Sequence, residues 1–454
     1  MTFFDDLDIK ESKDVPSFNT DTLYDLSSGE FKKGIDGKWY LTGGLSQHIN
    51  SIAGPTGVFK STIANALFMR TMSIYHDTYG IVFDTEHSLD KDKERAYSMA
   101  EQLRPDNLED RIKWIGSSEY TLGNFTELIN SICRKREANK KEYIVETPFI
   151  DRLTGNALVI WKPFFVFIDS FTELTSSIED KVLFDEKAKG IDDDNVNTLA
   201  MKDANKKTIF LHLMCRLCRK YGIVLLSTGH YGKTMNLNIY DPTPKETIFS
   251  KQDWKIKGCG PKYTLLSSTL IKISASLLLD SNKEAMYGGS GNVPAKDLIE
   301  VMLFIEKCKM QNAGIMTPLV ASQSEGLMID LTNYHYLRTN DYYGLNGSKQ
   351  KQQVALLPDV TISRNTVKEL AANSYQLSRA LEITAQYCYI KNNWNTSTLP
   401  FDFSLTPQQV YEKLLGNKAK IKMEDILNSR GYWTYLPHDR EYMSLFDILE
   451  LIQE

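Results

Sequence analysis

The chain has 454 residues, of which 42% are hydrophobic and 24% are charged, and its formal net charge is −5. This composition is typical of a globular protein with a large core, and the length exceeds that of one ordinary domain. The negative charge excludes a protein that coats nucleic acid with its whole surface, although it permits a local basic groove.

The sequence does not indicate a membrane or secreted protein. No apolar run is long enough to cross a bilayer, and the acidic start of the chain, residues 1–8, does not resemble a signal peptide. Six cysteines are scattered without disulfide-type spacing, which indicates a reducing compartment such as the cytoplasm.

The first predicted strand and helix flank a short loop. Residues 1–40 are predicted to form a polar N-terminal arm, and Thr42-Gly43-Gly44 to form a turn. The apolar run at residues 49–53 predicts a strand, and residues 63–69 have the pattern of a helix. Strand, tight loop and helix are the context of a phosphate-binding P-loop, because backbone N–H groups and the helix N-terminus favour an anion there.

The loop between this strand and this helix has the residues that phosphate binding requires. Lys60 would reach the β- and γ-phosphates, and the Ser61 hydroxyl would ligate Mg²⁺. Phe59 occupies the position where the usual motif has its second glycine. The alternative is an ordinary strand-to-helix turn that contains Lys-Ser by chance. The candidate nucleotide-binding residues are Gly54, Pro55, Thr56, Gly57, Val58, Phe59, Lys60, Ser61 and Thr62.

Residues 46–230 alternate between predicted strands and helices. Further strands are predicted at residues 80–83, 114–115, 164–168 and 223–228, and further helices at residues 122–136 and 209–221. Residues 143–162 resemble an inserted hairpin, and the polar residues 184–207 are predicted to be a loop. This alternation predicts an α/β fold with a mainly parallel, twisted sheet covered by helices.

Polar side chains follow four of these strands, at the point where each strand ends. They are the P-loop, the pair Asp84 and Glu86, then Asp169, and finally His230. Ligands of open α/β sheets bind at the carboxyl ends of the strands, so these four ends predict a nucleotide site at one edge. The alternatives are a helix-capping or ion-paired role for Glu86 and a structural role for His230.

The rest of the chain completes the sheet and adds a second unit. Residues 231–257 are predicted to form a long loop with lysines and aromatic residues. Strands are predicted at residues 269–273 and 298–306, with residues 319–320 and 327–329 closing the sheet of a core domain at residues 41–340. Residues 346–351 resemble a linker. Helix patterns at residues 366–382, 407–415 and 422–429 predict a small, mainly helical C-terminal domain, residues 350–454.

Cys215 and Cys218 form a CxxC pair, which could bind a metal ion or serve in redox chemistry. They lie on an amphipathic helix, and no second Cys/His pair has a suitable spacing. Packing of both cysteines in the core is therefore the favoured interpretation.

Taken in order, these motifs resemble the RecA-type recombinases, and most of all the phage UvsX branch, which also has Phe in the P-loop. The resemblance covers roughly residues 40–335 and is specific as an ordered set. It implies a RecA-like P-loop ATPase core that binds ATP and Mg²⁺. The segments that carry it are Thr42-Gly43-Gly44, the P-loop, residues 83–90, Phe167-Ile168-Asp169-Ser170, Thr228-Gly229-His230, residues 258–263 and residues 306–309.

The resemblance also implies a role for each site residue. Ser61 and Asp169 would hold Mg²⁺, Glu86 would orient and polarise the attacking water, and His230 would sense the γ-phosphate. Lys307 and Lys309 would reach the γ-phosphate of the neighbouring subunit, so that hydrolysis needs a filament. The alternative for these two lysines is a pair of solvated charges on an edge strand. Catalytic roles thus fall to Lys60, Glu86, His230, Lys307 and Lys309, and Asp90 joins the nucleotide-binding residues.

The expected partners are single-stranded DNA and homologous duplex DNA, with a helical filament of copies of this chain. Residues 184–207 and 231–257 would line the filament axis, although Asp192–Asp194 would repel phosphate. Single-strand-binding and mediator proteins are further expected partners, and a phage protein would act in the cytoplasm of the infected host cell. The candidate DNA-binding residues are Lys202, Lys206, Lys207, Lys233, Lys245, Lys251, Lys255, Lys257 and Lys262.

Two other functions remain open for this sequence. A RecA-fold motor, helicase or protein loader would form closed rings, and the acidic first loop and the unassigned C-terminal domain favour it. A non-catalytic filament or scaffold protein would keep the fold without needing Glu86.

Overall fold

The structure is a computed structural model of the whole chain. It describes residues 15–86, 89, 108–116, 120–174, 193–233, 245, 247–250, 254–257, 260–288, 293–309, 313–340, 343–416 and 422–453. For residues 108, 109, 193–202, 233 and 260 it describes the backbone alone. Asp90 and Lys251, two of the predicted site residues, lie outside the described residues.

Most strands of the structure follow the apolar runs of the sequence. They are β1 (Phe31–Lys33), β2 (Trp39–Leu41), β3 (Ile49–Gly54), β4 (Tyr79–Asp84), β5 (Ile112–Gly116), β6 (Ile144–Ile150), β7 (Ala157–Trp161), β8 (Phe164–Asp169), β9 (Ile223–Lys233), β10 (Trp254–Ile256), β11 (Thr269–Leu277), β12 (Leu298–Cys308), β13 (Met316–Ser322), β14 (Gly326–Leu327), β15 (Leu345–Gly347), β16 (Gln352–Val354) and β17 (Leu357–Ile362).

The helices alternate with these strands in the first half of the chain and dominate its last 80 or so residues. They are α1 (Tyr24–Ser28), α2 (Lys60–Ile74), α3 (Leu108–Arg111), α4 (Leu122–Ala138), α5 (Lys140–Tyr143), α6 (Asp193–Tyr221), α7 (Gly260–Leu266), α8 (Ile329–Thr339), α9 (Val367–Asn373), α10 (Tyr375–Asn393), α11 (Pro407–Gly416), α12 (Met423–Asn428) and α13 (Leu445–Leu451), with a 3₁₀ turn at Thr396–Thr398. Within the described ranges, no helix has both the length and the apolar character needed to cross a membrane.

A ten-stranded sheet forms the centre of the molecule, in the order β14-β13-β12-β11-β3-β9-β8-β4-β5, with β10 paired to the end of β9. The strands from β11 to β5 run parallel, whereas β10, β12, β13 and β14 pair antiparallel. The prediction of an α/β fold with a mainly parallel sheet is therefore confirmed. Residues 143–162 form the predicted hairpin, in which β6 and β7 make a separate two-stranded sheet.

Helices cover both faces of the parallel strands, which explains why these strands are continuously apolar. All six residues of β3 and of β8 are buried. Alternate strand residues point to opposite faces. On one face Ile52 and Phe167 pack with helix α2, and on the other Ile168 packs with helices α4 and α6. Cys218 is fully buried in this second layer and Cys215 is half-buried, in agreement with the core-packing interpretation.

The two ends of the chain pack together against the core. Residues 16–28 belong to the predicted polar arm, yet all of them except Asp21 are buried, with Phe18 and Tyr24 fully so. Phe18 contacts Tyr75 of helix α2 edge to face, with ring centroids 5.0 Å apart, and lies 5.9 Å from Trp433. Trp433, which belongs to the predicted C-terminal domain, packs at the junction of that segment with the arm and helix α2.

Three predicted loops are partly regular structure. Helix α6 begins at Asp193, so residues 193–207 of the predicted first DNA-binding loop are helical. Strand β9 continues to Lys233 because residues 231–233 pair with β10, which also lies inside the predicted second loop. In the predicted linker at residues 346–351, Asn346 and Gly347 belong to β15, and residues 348–351 form the turn to β16 of a three-stranded sheet. The predicted helix at residues 366–382 is two helices, separated at Ser374, whose side chain caps α10.

Candidate functional site

The four predicted strand ends meet at one edge of the sheet. Strands β3, β9, β8 and β4 are consecutive neighbours and all run parallel. Gly54 of β3 pairs in register with His230 of β9, and Asp84 of β4 pairs with Asp169 of β8. The structure therefore brings the P-loop, Asp84, Glu86, Asp169 and His230 together, as the sequence predicted for this edge.

The loop after β3 has an unusual backbone at Phe59. Phe59 lies in the left-handed region with φ 59°, and it is the residue that precedes helix α2. The left-handed conformation is the one that glycine adopts at least cost, so Phe59 has the backbone of the glycine that it replaces. Gly54, in contrast, cannot be replaced by a larger residue without a steric clash, because a Cβ there would lie 2.7 Å from Cγ2 of Ile273.

Lys60 occupies the first turn of helix α2 and is almost buried, with 6% of its surface exposed. Its Nζ donates a hydrogen bond to the carbonyl oxygen of Pro55 across the loop, at 2.7 Å. Burial lowers the pKa of Lys60, while the negative charges of Asp169 and Glu86 act in the opposite direction. The ammonium group therefore sits in the field of both carboxylates.

Asp169 is the most deeply buried acid at this edge, with 1% of its surface exposed. Its Oδ1 accepts a short hydrogen bond from the Thr228 hydroxyl, and its backbone carbonyl accepts one from Thr85 N at 2.7 Å. Burial raises the pKa of Asp169, and hydrogen bonds from Thr228 and Ser61 oppose that shift. Among the described residues, Oδ2 of Asp169 has no hydrogen-bond partner.

This unpaired oxygen fits a cation that the protein itself does not supply. Among the residues that the structure describes, no three acidic, histidine or cysteine side chains are grouped as a protein-held metal site requires. Mg²⁺ commonly takes only one or two protein oxygens and keeps water and phosphate oxygens as its other ligands. Asp169, with the Ser61 hydroxyl beside it, therefore matches the donor set of a nucleotide-bound Mg²⁺.

Glu86 and His230 form the other half of the edge. Nε2 of His230 lies 3.1 Å from Oε1 of Glu86, and the same oxygen accepts a hydrogen bond from the Ser170 hydroxyl at 2.8 Å. Burial acts to raise the pKa of Glu86, but the hydrogen bonds from Ser170 and His230 and the charge of Lys60 lower it overall. Glu86 is thus held ionised, oriented and partly exposed, as a carboxylate that polarises a water molecule must be.

Lys307 and Lys309 lie at the opposite edge of the sheet. Lys307 of β12 pairs in register with Leu270 of β11, and Leu270 pairs with Ser51 of β3. Ser51 lies three residues before the end of β3, the strand that leads into the P-loop. Because β12 runs antiparallel to β11, it ends at the edge where the parallel strands begin. A subunit therefore cannot bring these two lysines to its own P-loop.

Lys307 also has a structural role that the sequence did not predict. Its Nζ donates hydrogen bonds to the carbonyl oxygens of Thr264 and Leu265, at 2.6 and 2.7 Å, and so caps the C-terminus of helix α7. Burial lowers the pKa of Lys307 to about 8, and the like charge of Lys309 adds to this shift. Lys309 itself is exposed.

Two residues missed by sequence reasoning, His48 and Arg219, lie in the same positive field as Lys309. Burial lowers the pKa of His48 to about 4, and the charges of Arg219 and Lys309 contribute. Backbone bonds fix the arrangement, since Ile49 O accepts from Ser268 N and Ser268 O accepts from Lys309 N, at 2.8 and 2.9 Å. We call His48, Arg219, Lys307 and Lys309 the basic edge cluster. Its members are up to 261 positions apart, so no local motif could reveal it.

The predicted DNA-binding lysines divide into two groups. Lys207 was predicted to contact DNA, but in this structure it is buried, pairs with Asp203 at 3.0 Å and donates to the carbonyl oxygen of Thr172. Burial of this helix face could not be read from a stretch that looked like a polar loop. The side chains of Lys202 and Lys233 are outside the described part. The exposed members are Lys206, Lys245, Lys255, Lys257 and Lys262.

Three hydroxyl side chains that support the site were also missed. Thr228 holds Asp169, Ser170 holds Glu86, and Oγ1 of Thr85 accepts from Ser170 N at 2.7 Å. Thr85 and Ser170 directly follow strands β4 and β8, and Thr228 lies within β9, two residues before His230. Their position beside the predicted acids was the signal that could have identified them.

Comparison with known proteins adds no assignment to this geometry. No family model matches the chain, and no curated protein matches it at a significant level.

The left-handed backbone at Phe59 predicts that glycine is more stabilising than alanine at this position, the reverse of their usual order in helices. Phe59→Gly and Phe59→Ala both remove the ring, but only glycine adopts φ 59° without steric cost. We expect the glycine variant to be more stable than the alanine variant by about 1 kcal/mol. Urea unfolding followed by circular dichroism measures the difference. A more stable alanine variant would show that the backbone is not held in this conformation.

The buried carboxylate of Asp169 generates a second prediction. Burial raises the pKa of Asp169 in the folded protein above 3.8, its value in an unfolded chain. Above pH 3.8 the unfolded chain therefore loses this proton more readily than the folded protein, and ionisation of Asp169 lowers the free energy of unfolding. Asp169→Asn keeps the acceptor for Thr228 and removes the charge. It should unfold at a higher temperature than the wild type without nucleotide, with a larger gain at pH 8 than at pH 4.

The same variant should lose the stabilisation that Mg²⁺ with ATP gives to the wild type, since it lacks the carboxylate ligand. Thermal unfolding with and without Mg²⁺ and ATP at each pH gives both readouts. A variant that is destabilised at pH 8 and still responds fully to Mg²⁺ and ATP would contradict this role of Asp169.

Proposed function

We propose that the chain is an ATP-dependent DNA recombinase of the RecA type, which forms a helical filament on single-stranded DNA and catalyses homologous pairing and strand exchange. The observation that carries the proposal is the convergence of Lys60, Glu86, Asp169 and His230 at one sheet edge. The order and register of the strands are compatible with a RecA-like core.

The P-loop residues 54–62 would hold the triphosphate of ATP. The backbone N–H groups of the loop and the N-terminus of helix α2 would face the phosphates, and Lys60 would exchange its bond to Pro55 O for a phosphate oxygen. Asp169 and Ser61 would hold Mg²⁺, which supplies charge neutralisation on the phosphate oxygens. The cost of the buried, ionised Asp169 would then be offset by the cation.

Glu86 would act as the residue that orients the attacking water. Its Oε1 is fixed from two sides by Ser170 and His230, which leaves Oε2 to accept a proton or a hydrogen bond from water. His230 would report on the γ-phosphate because it touches Glu86 and lies at the start of the DNA-binding loop. A phosphate near Nε2 would compete with Glu86 for the same ring nitrogen.

Assembly in a head-to-tail manner would complete the site. The P-loop edge carries Asp84, Glu86 and Asp169 and would carry the triphosphate, whereas the opposite edge carries the basic edge cluster. Positive charge placed against the γ-phosphate stabilises the transition state of phosphoryl transfer. This arrangement would explain why Arg219, Lys307 and Lys309 gather at one edge, although burial and the charge of Lys309 lower the pKa of Lys307 there and keep His48 neutral at pH 7.

A ring-forming motor or protein loader of the same core is the second candidate. Lys207 is buried and residues 193–207 are helical, so the first predicted DNA-binding loop is reduced. Negative-stain microscopy with Mg²⁺, an ATP analogue and single-stranded DNA separates the two functions. Helical filaments support the recombinase, and closed rings support the motor.

The ATPase rate tests the proposed function directly. We expect the wild type to hydrolyse ATP with Mg²⁺ and to be stimulated about 10-fold by single-stranded DNA, a coupling of ordinary size between two sites. Lys60→Ala, which removes the P-loop ammonium, should abolish the rate under both conditions. A wild-type rate that single-stranded DNA does not change would contradict the recombinase proposal.

Mixing two inactive variants tests the shared site. Glu86→Gln removes the water-orienting carboxylate, and Lys309→Ala removes a cation of the basic edge cluster while leaving the Lys307 cap on helix α7 intact. Each alone should lose at least about 100-fold in DNA-stimulated rate. An equal mixture should recover about a quarter of the wild-type rate, because intact Glu86 then meets intact Lys309 across some interfaces.

The exposed Lys349 on the β15–β16 turn provides the control, since Lys349→Ala should keep full activity. Failure of the mixture to exceed the sum of the two separate rates would place Lys309 outside the neighbour's site.

A further inference from the structure

Five side chains meet where the second predicted DNA-binding loop leaves the sheet, and none of them is used by the site described above. Tyr231 is the first residue of β9 that pairs with β10, Thr247 lies within the loop, and Trp254 begins β10. Lys272 of β11 and Glu306 of β12 complete the group. We call these five residues the loop clasp.

Glu306 is the centre of the loop clasp. Its side chain is buried, with 2% of its surface exposed, and it accepts a short hydrogen bond from the Tyr231 hydroxyl on Oε2. Its Oε1 accepts from the Thr247 hydroxyl at 3.3 Å. A buried carboxylate that loses a donor keeps its full desolvation cost, so these two contacts hold the loop to strand β12.

Lys272 holds the aromatic part of the loop clasp. Its Nζ lies 5.1 Å from the ring centroid of Tyr231 and 4.8 Å from that of Trp254. The two rings are 5.8 Å apart and inclined by 68°. An ammonium group between two rings gives a favourable cation–π contact and occupies the ring faces that a nucleic-acid base would otherwise stack on.

The segment that Thr247 anchors is a tight turn. Thr247 N donates to Ser250 Oγ at 3.0 Å, and Ser250 Oγ donates to Thr247 O at 2.9 Å. The ring of Phe249 packs edge to face on Phe304 of β12, with centroids 6.1 Å apart. Both ends of residues 247–250 are thus fixed to the antiparallel part of the sheet.

The loop clasp is one residue away from the nucleotide edge. Tyr231 follows His230, whose ring contacts Glu86 at 3.1 Å, and neighbouring strand residues point to opposite sides. Lys257 N also donates to His230 O at 2.8 Å, so the far end of the loop is tied to the same residue. A displacement of His230 by phosphate must therefore be transmitted to Tyr231 and to Lys257.

We infer that Tyr231, Thr247 and Glu306 are positioning residues. Through them, the affinity of this loop for DNA depends on which nucleotide is bound beside His230. The inference rests on the proposed function and deepens it. The loop clasp does not touch ATP and is not expected to change ATP binding. It sets how strongly the position of His230 controls the loop that carries Lys245, Lys255 and Lys257.

The measurement is a ratio of two affinities for fluorescently labelled single-stranded DNA, one with ADP and one with a non-hydrolysable ATP analogue, both with Mg²⁺. This ratio is the coupling between the two sites. Tyr231→Phe removes only the hydroxyl that bonds to Glu306. The matched control is Tyr79→Phe, because Tyr79 is 51% exposed at the start of β4, far from the loop.

We expect Tyr231→Phe to reduce the coupling ratio about 10-fold toward unity, with the ATP concentration for half-maximal hydrolysis unchanged. Thr247→Val removes the longer, 3.3 Å hydrogen bond to Glu306. Its coupling ratio should lie between those of the wild type and Tyr231→Phe. It also serves if Tyr231→Phe does not fold, as judged by circular dichroism. Tyr79→Phe should keep the wild-type ratio.

The possible failures can be told apart. If the wild type shows a nucleotide-dependent ratio and both loop-clasp variants keep it, the inference is wrong and the proposed function stands. If the wild type does not bind single-stranded DNA, the proposed function fails and the inference falls with it. A rise in half-maximal ATP concentration for Tyr231→Phe also overturns the inference, since it would place Tyr231 in the nucleotide site.

Discussion

The structure depends on one constraint, which is that four consecutive strands of the sheet run parallel and therefore end at the same edge. Parallel strands need helical crossovers, and the helices bury both faces of β3 and β8. Side chains that are far apart in the sequence, such as Lys60 and His230, are brought together only because β3 and β9 are neighbours in register. Every property of the candidate site follows from this placement.

The electrostatics of the two sheet edges have opposite character. One edge holds Glu86 and Asp169 around a nearly buried Lys60, and a carboxylate oxygen of Asp169 has no partner among the described residues. The other edge gathers Arg219, Lys307 and Lys309. Burial and the charges of Arg219 and Lys309 lower the pKa of His48 to about 4, so this histidine is neutral at pH 7, and burial lowers the pKa of Lys307 to about 8. The proposed head-to-tail assembly would place these two edges against each other, with Mg²⁺ and ATP between them.

The sequence predicted the central sheet and the position of the candidate site because both depend on continuous apolar strands that end in polar residues. It did not predict which lysines are accessible. Lys207 looked like a loop residue, and only the packing of helix α6 against residues 171–174 explains its burial and its bond to Thr172 O. Only Lys307 and Lys309 of the basic edge cluster were predicted, and the loop clasp was not, since each group joins residues that are distant along the chain.

The residue type of Phe59 and its backbone conformation lead to different conclusions about the loop after β3. The ring in place of glycine argued against a P-loop by motif alone, yet the backbone keeps the left-handed conformation that glycine would adopt. Loop conformation is set by the strand before it and the helix after it, so the sequence motif is a weaker guide than the geometry. The same reasoning explains why residues 231–233 are a strand, because pairing with β10 overrides their loop-like composition.

The most direct test of the account is an electron cryomicroscopy structure of the assembled protein with Mg²⁺, a non-hydrolysable ATP analogue and single-stranded DNA. The account predicts a triphosphate that contacts Lys60, Ser61 and Asp169 of one subunit, with Lys309 of the next subunit facing the γ-phosphate. A triphosphate bound away from the P-loop edge, or an interface in which Lys309 faces solvent, would contradict it.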